Sequence, residues 1–332
     1  MKAIVYTHYG NPEVLTLKEV EKPVPKSNEL LIRVYASTAN RTDCANLTAR
    51  PFIMRFWLGL IKPSIQILGT EFAGMVEAAG SEVQGFQAGD RVFGFDDGIL
   101  SAYAEYLTIA WNKGIGHIPE GVSYQQAAAS CEGFHYAFNF VNKVTINPGH
   151  KVLVNGASGG IGSAMVQLLH YYQAEITATC ATKNIKLIES LGAKRIIDYT
   201  TTDFTRDTER FDYIFDAVGK STYGKSKNLL KPGGVYISSE LGPMSQNIFF
   251  ALYSGIFGQM PGRHRRKVKF PIPTDIKRSV MFVKKLTEEG HFSPVIDRTY
   301  SMEQVAKAYE YVLTGQKTGN VVIDMNTGKV NV

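Results

Sequence analysis

Cysteine is scarce in this chain. Cys44, Cys131 and Cys180 are odd in number, widely spaced and include no Cys-x-x-Cys pair, which excludes a disulfide framework and a structural zinc knot. Long apolar runs are also lacking: the longest, Ile248–Phe257, is interrupted and too short to span a bilayer. Met1-Lys-Ala-Ile-Val-Tyr6 has no signal-peptide core, and the closing Lys-Val-Asn-Val carries no lipid or targeting signal. A cytoplasmic protein with no membrane partner is expected. Internal repeats and low-complexity tracts are absent, and neither sign of charge dominates. The 36 Lys and Arg are mostly scattered among 30 Asp and Glu, for a net charge of +6. That mild basic balance suits an anionic dinucleotide as well as it suits nucleic acid. The one dense cluster, Arg263-His-Arg-Arg-Lys-Val-Lys269, reads as a solvated loop leading into a strand, so no nucleic-acid partner is expected.

What is present is a chain of 332 residues, 44% apolar and 20% charged, long enough for two cores. Its organising stretch is Lys151-Val-Leu-Val-Asn-Gly-Ala-Ser-Gly-Gly-Ile-Gly162. A short β-type run turns through glycines into a helix whose apolar residues, Ile161, Met165, Leu168, Leu169 and Tyr172, recur at helical spacing. Gly156, Gly159 and Gly162 suit a turn with positive φ and no Cβ, where backbone N–H groups approach phosphate oxygens at the positive end of a helix. The predicted cradle is Gly156, Ala157, Ser158, Gly159, Gly160, Ile161 and Gly162, and its ligand is a nucleotide pyrophosphate.

Residues 1–124 read as short strands at Ala3–Tyr6, Leu15–Val20, Glu29–Ser37, Glu71–Gly80, Arg91–Phe95 and Ala102–Ile109, separated by turn chemistry, which suggests a barrel-like domain. Arg50–Leu68 departs from this, crowding Phe52, Phe56, Trp57, Leu58 and Leu60 together. It is read either as a core or subunit-packing segment or as a wall of a substrate pocket. Beyond Ser123 the period becomes helical at Tyr124–Ala129 and Phe134–Val144. Strands at Lys151–Asn155, Glu175–Thr179, Arg195–Asp198, Phe211–Asp216 and Val235–Ser239 then alternate with helices at 161–172, 183–190 and 221–230, the pattern of a doubly wound parallel sheet. Lys231-Pro-Gly-Gly234 reads as a turn into the fifth strand, Val268–Ile272 as a sixth strand, Asp275–Glu289 and Tyr300–Leu313 as helices, and Gly319–Asp324 as a closing strand. The segment 243–262 reads as a mobile or interfacial connection.

The order of segments resembles the medium-chain dehydrogenase/reductase superfamily, in its zinc-free quinone oxidoreductase-like branch. The resemblance is carried by Met1–Tyr6, Pro12-Glu-Val-Leu15, Asn40-x-x-Asp43, Gly69-Thr-Glu-Phe-Ala-Gly74, Gly89-Asp-Arg-Val92 and Tyr103-Ala-Glu-Tyr106. Further on it is carried by Val152–Gly162, Leu191-Gly-Ala193, Ile197-Asp-Tyr199, Phe215-Asp-Ala-Val-Gly219, Lys231–Gly234 and Lys317-Thr-Gly-Asn320. It implies an α/β protein in which a GroES-like β-barrel catalytic domain, residues 1–124 and 273–332, encloses a Rossmann domain, residues 125–272, with the active site in the cleft. It also implies NADPH, hydride transfer and a homodimer.

Zinc relatives place a Cys ligand near Asn40 and a His-Glu pair near Thr70-Glu71. The residues present do not supply three thiolate, imidazole or carboxylate ligands, so no metal is expected. Without that Lewis acid, simple alcohol oxidation loses its usual support. The expected activity is hydride transfer from NADPH to a quinone or an α,β-unsaturated carbonyl acceptor. An NADP-dependent alcohol or aldehyde dehydrogenase and a non-catalytic NADPH-binding protein are the alternatives.

NAD-specific sites carry an acid at the tip of the second strand. Here that tip offers Thr179, Thr182 and the cation Lys183. The resemblance sets Lys183 and Tyr199 at the 2′-phosphate and Ala217, Val218 and Gly219 close to the dinucleotide. It implies backbone contacts to the nicotinamide from Ser238, Ser239 and Glu240. Asn320 either contacts the cofactor or caps a turn. At the reacting end it points to Asn40 and Asp43, the first a donor to a substrate oxygen or ribose and the second an orienting group, with loop capping as the alternative for both. His135 and Tyr136 are read either as proton-handling residues beside the nicotinamide or as structural ones.

Overall fold

An 11-residue strand, Glu29–Ala39, is shared by three partners. Its run of Leu, Ile, Val and Tyr is buried on both faces except near Arg33, which is why it forms so long a strand. One edge pairs with Glu71–Ala79. The other pairs first with Tyr106–Ala110 along Glu29–Arg33, then with Asn320–Asp324 along Ala36–Ala39. The C-terminal part of the chain is thereby stitched onto the N-terminal part.

The protein, seen in a computed structural model that describes residues 1–50, 52–98, 100–238 and 266–326, divides into two compact units, Met1–Glu132 with Asp275–Val332, and Gly133–Thr274. In the first unit a seven-stranded sheet runs in the order Ile296–Ser301, Asn320–Asp324, Glu29–Ala39, Glu71–Ala79, Arg91–Phe95 and Ile115–His117, with Tyr106–Ala110 as the extra partner of the long strand. The helix Val305–Leu313 turns Val305, Ala308, Tyr309 and Val312 inward at i, i+3, i+4 and i+7. They join Leu30, Ile32, Phe72, Val92, Val321 and Ile323 in one core cluster.

The second unit is a six-stranded, all-parallel sheet ordered Arg195–Asp198, Glu175–Cys180, Lys151–Asn155, Phe211–Asp216, Leu230–Ser238 and Lys267–Lys269. In chain order this is 3-2-1-4-5-6, the doubly wound arrangement whose switch point lies beside the first strand. Val152, Leu153 and Val154 are fully buried, as strands covered on both faces require.

The strand expected at Ala102–Ile109 is Tyr106–Ala110, the helix expected at 221–230 is Tyr223–Ser226 followed by a 3₁₀ turn, Lys227–Leu229, and three further details differ from the sequence expectation. Tyr300 and Ser301 end the strand Ile296–Ser301 instead of opening a helix, because they pair with Ile323 and Asp324; the helix starts only at Val305. Lys231–Gly234 is a bulge inside a continuous strand, with Phe211 opposite Leu230 and Tyr213 already opposite Val235. The sixth strand is shorter and earlier, Lys267–Lys269. Ser239, Glu240 and the segment 243–262 lie outside the described residues.

Candidate functional site

In the second unit the first strand ends at Asn155 and the helix Gly160–Tyr171 begins after Gly159. Gly156 has φ +82°, and a Cβ there would stand 2.2 Å from Val218 Cγ1. A Cβ on Gly162 would stand 2.1 Å from the carbonyl oxygen of Gly156. The turn therefore closes so tightly that backbone lies on backbone. Around it, Thr179 Oγ1 donates to Asn155 Oδ1 at 2.8 Å and accepts from Gly156 N–H at 3.0 Å, while Ala157 N–H donates to the Thr179 carbonyl at 3.0 Å. The first backbone bond into the helix is Ser163 N–H to the Gly159 carbonyl at 2.8 Å. The N–H groups of Gly160, Ile161 and Gly162 are thus left at the positive helix end, and Ser158–Ile161 are only half-buried.

Asp216, which opens the Asp216–Gly219 stretch that the sequence sets near a dinucleotide, holds the opposite wall. One oxygen accepts from Asn155 Nδ2 at 3.0 Å and Gly219 N–H at 3.1 Å; the other accepts from Tyr236 Oη at 2.9 Å and Ser221 N–H at 3.2 Å. Burial raises its pKa and these donors oppose the rise. The carboxylate folds Ala217, Val218 and Gly219 against the glycine turn. Ser238 pairs with Asp216 at the strand ends.

At the tip of the second strand, Tyr199 N–H donates to the Cys180 carbonyl at 3.2 Å, and Tyr199, Thr182 and Lys183 are all exposed. Here too stands an acid that sequence reasoning missed: Asp198 accepts from Thr182 Oγ1 at 2.5 Å and from Thr200 Oγ1 at 2.6 Å, and these hydrogen bonds lower its pKa.

The first unit buries a second polar group of residues. Asn40 N–H donates to Asp43 Oδ2 at 2.9 Å, so Asp43 caps the helix Arg41–Thr48. Asn40 Nδ2 faces Thr38 Oγ1 at 3.0 Å, Glu71 Oε1 at 2.9 Å and Glu132 Oε2 at 3.3 Å, and Asn40 Oδ1 accepts from Lys317 Nζ at 3.3 Å. Glu71 also accepts from Thr38 Oγ1 and, at 2.7 Å, from Glu132 N–H. Thr42 and Thr70 donate to Glu132 at 2.8 and 3.0 Å. The half-buried Lys317 ammonium therefore lies within reach of the charges of two buried carboxylates, Glu71 and Glu132, while the buried Asp43 joins them through the Asn40 N–H. Desolvation lowers the Lys317 pKa, while desolvation and mutual repulsion push Glu71 up to about 8 and Asp43 well above the usual carboxylate range. Asn40 and Asp43 are brought together; Asn320 lies in the same unit but spends its side chain on the Val295 carbonyl at 3.1 Å.

His135 and Tyr136 lie on the helix Glu132–Val141, in the second unit. The His135 ring is fully buried and packs 5.5 Å from the Tyr136 ring, which is only half-buried. Asn139 Nδ2 donates to the His135 carbonyl at 2.9 Å.

Residues 26–120 match the model of the alcohol dehydrogenase GroES-like domain, and residues 191–323 that of the zinc-binding dehydrogenases. The chain is 30% identical to the 2-methylene-furan-3-one reductase of Solanum lycopersicum over 97% of its own length and 79% of that protein. The chain belongs to the medium-chain dehydrogenase/reductase superfamily. Within that superfamily it is also 27% identical to the NADPH-dependent alkenal/one oxidoreductase of Arabidopsis thaliana, over 97% of this chain and 79% of that one. The solved quinone oxidoreductase of Coxiella burnetii superposes with a TM-score of 0.85 at 25% identity, covering 98% and 99% of the two chains. The first unit is thus the superfamily's GroES-like domain and the second its Rossmann domain.

The zinc in the name of one matching family finds no suitable donors here. Asn40 and Thr70 offer an amide and a hydroxyl, and among the described residues no group of three His, Cys, Asp or Glu is placed to hold a metal ion. The residues present do fit a nicotinamide dinucleotide, because the tight glycine turn leaves the N–H groups of Gly160, Ile161 and Gly162 at a helix start whose residues Ser158–Ile161 are only half-buried.

Two outcomes follow from this geometry. Gly162→Ala forces its Cβ into the Gly156 carbonyl and lowers the unfolding free energy by about 1–3 kcal/mol in urea titration. An unchanged midpoint would contradict so tight a turn. Glu71, whose ordinary pKa is 4.5, keeps its proton in the folded state up to about 8. The unfolded chain releases that proton at lower pH, so native stability drains away as pH rises from about 4.5 to 8, by up to about 1.4 kcal/mol per pH unit. Unfolding curves across this range will show a flatter pH slope for Glu71→Gln than for the natural chain; equal slopes would mean that Glu71 is ionised when buried.

Proposed function

We propose that this protein is an NADPH-dependent reductase of quinones or α,β-unsaturated carbonyl compounds that works without a metal. The observation that carries this reading is the glycine turn with three helix N–H groups beyond it, a shape and charge suited to a pyrophosphate. The names of its relatives, an alkenal/one oxidoreductase, a furanone reductase and a quinone oxidoreductase, support the acceptor class.

Gly160, Ile161 and Gly162 hold the pyrophosphate, and Ser158 closes the loop over it. Asn155, Thr179 and Asp216 keep the loop and the Ala217–Gly219 wall rigid. Lys183 and Tyr199 receive the 2′-phosphate of the adenosine ribose; Asp198 stays turned toward Thr182 and Thr200, which occupy its oxygens. Bound NADPH supplies a hydride from its nicotinamide ring to an electron-poor carbon. The chain's part is to position that carbon and to stabilise the oxygen on which charge develops. Asn40, held on Lys317, Glu71 and Glu132, and Asp43 form the polar side of the catalytic domain. Tyr136, reachable where His135 is not, is the hydroxyl of the predicted set best placed to face a ligand. The protein is proposed to act in the cytoplasm as a homodimer, in keeping with the family reading.

Two measurements test this. NADPH oxidation will proceed with small quinones and enones and survive dialysis against a chelator, while NADP⁺ with simple alcohols gives no reduction. Alcohol-driven reduction, or activity lost with the chelator, would favour an alcohol dehydrogenase, and binding without turnover a non-catalytic role. Lys183→Ala will weaken NADPH by about 10- to 100-fold, the worth of one charge-assisted hydrogen bond, and leave NADH nearly unchanged. Equal losses for both cofactors would show that Lys183 does not touch the phosphate.

A further inference from the structure

Residues 52–65 present large apolar side chains to solvent. Phe56, Trp57 and Ile61 are 69%, 74% and 89% exposed, and Phe52 and Leu60 are exposed beside them. The first half of this segment folds as a 3₁₀ turn, Phe52–Met54, and one helical turn, Arg55–Leu58. It is not loosely attached. The Arg55 guanidinium stacks 4.9 Å over the Tyr9 ring, Tyr9 Oη donates to the Gly59 carbonyl at 2.7 Å, and Ser64 N–H and Oγ both donate to the Leu58 carbonyl at 2.8 and 2.9 Å. Tyr6 N–H donates to the Gln66 carbonyl at 3.0 Å. Phe52 and Phe56 meet edge to face at 6.4 Å. The base is pinned to the N-terminal segment and the aromatic tips point outward, a shape that costs solvation unless something covers it.

The charge around these tips selects the cover. No Asp or Glu occurs between Asp43 and Glu71, and those two flanking acids are fully buried. The segment itself carries Arg55 and the exposed Lys62, and the exposed Arg50 lies just ahead of it. A second copy of this chain meeting the patch across a two-fold axis would bring each cation toward its own kind, with no carboxylate from the segment to compensate. An anionic lipid surface has the opposite charge and an apolar layer beneath it for Trp57, Phe56 and Ile61. We infer that the segment 52–65 is a peripheral membrane-docking surface that lays its aromatic tips into the interface of an anionic bilayer. The sequence expectation of no membrane partner rested on the lack of a spanning segment. Among the described residues no helix is long and apolar enough to cross a membrane, but docking on one leaflet needs no such helix. The inference is independent of which acceptor is reduced.

Flotation of the full chain with vesicles tests it. The protein will float with vesicles of phosphatidylcholine containing phosphatidylglycerol, less with phosphatidylcholine alone, and less as salt is raised. Arg50→Ser and Lys62→Ser will each weaken the partition by about fivefold, and the double change Phe56→Ser with Trp57→Ser will abolish it while the melting curve stays that of a folded protein. In a Trp111→Phe background, which leaves Trp57 as the sole tryptophan, emission will move to shorter wavelength on adding anionic vesicles. Absence of flotation with either lipid overturns the inference. So does a Trp57 already shielded without lipid, together with self-association lost in the double variant, because a second copy would then be the cover.

Discussion

The contact on which the second unit depends is backbone on backbone: Gly162 passes the Gly156 carbonyl with room for no side chain. That contact turns the first parallel strand into the first helix within a few residues and leaves three N–H groups at the helix start. Its neighbours make sense as fixtures of that turn. Thr179 occupies the Gly156 N–H, Asn155 bridges Thr179 and Asp216, and Asp216 bends the Ala217–Gly219 loop so that Val218 covers Gly156. A sheet ordered 3-2-1-4-5-6 places its ligand beside this strand end because the connections diverge there.

In the GroES-like domain the governing problem is different, namely how to keep charge in a dry interior. Three buried carboxylates and a half-buried lysine share one network, and burial is costly for every member that stays ionised. The raised pKa of Glu71 and Asp43 and the lowered pKa of Lys317 show the same constraint from both signs. Burial raises the Glu132 pKa as well, and the hydrogen bonds from Thr42, Thr70 and Asn40 and the charge of Lys317 oppose that rise. The hub is an amide where a metal centre would need a thiolate or imidazole, and its hydrogens are already directed at Thr38, Glu71 and Glu132.

Much of the Rossmann domain was legible in the sequence because parallel strands are continuous apolar runs: Lys151–Asn155, Arg195–Asp198 and Phe211–Asp216 fall where periodicity set them. Tyr300 misled because an aromatic ahead of a helical period reads as its first member, whereas pairing with Ile323 holds it in a strand. Lys231–Gly234 reads locally as a turn, and only its partner strand makes it a bulge. The buried network was legible only in fragments. Its hydrogen bonds join Asn40 to Lys317, Glu132 and Glu71, positions 277, 92 and 31 residues apart, and no local pattern announces such pairings. Asp198 escaped notice because it ends the third strand, and only the sheet order sets it beside the tip of the second.

The central claim is that pyrophosphate rests on the first N–H groups of the helix Gly160–Tyr171. Amide hydrogen exchange, read residue by residue by NMR with and without NADPH, tests it at the atoms concerned. The account predicts that the amides of Gly160, Ile161 and Gly162 shift and become protected when NADPH is added, with Ala217–Gly219 following. NADPH that binds while those three amides exchange at their original rates would contradict it.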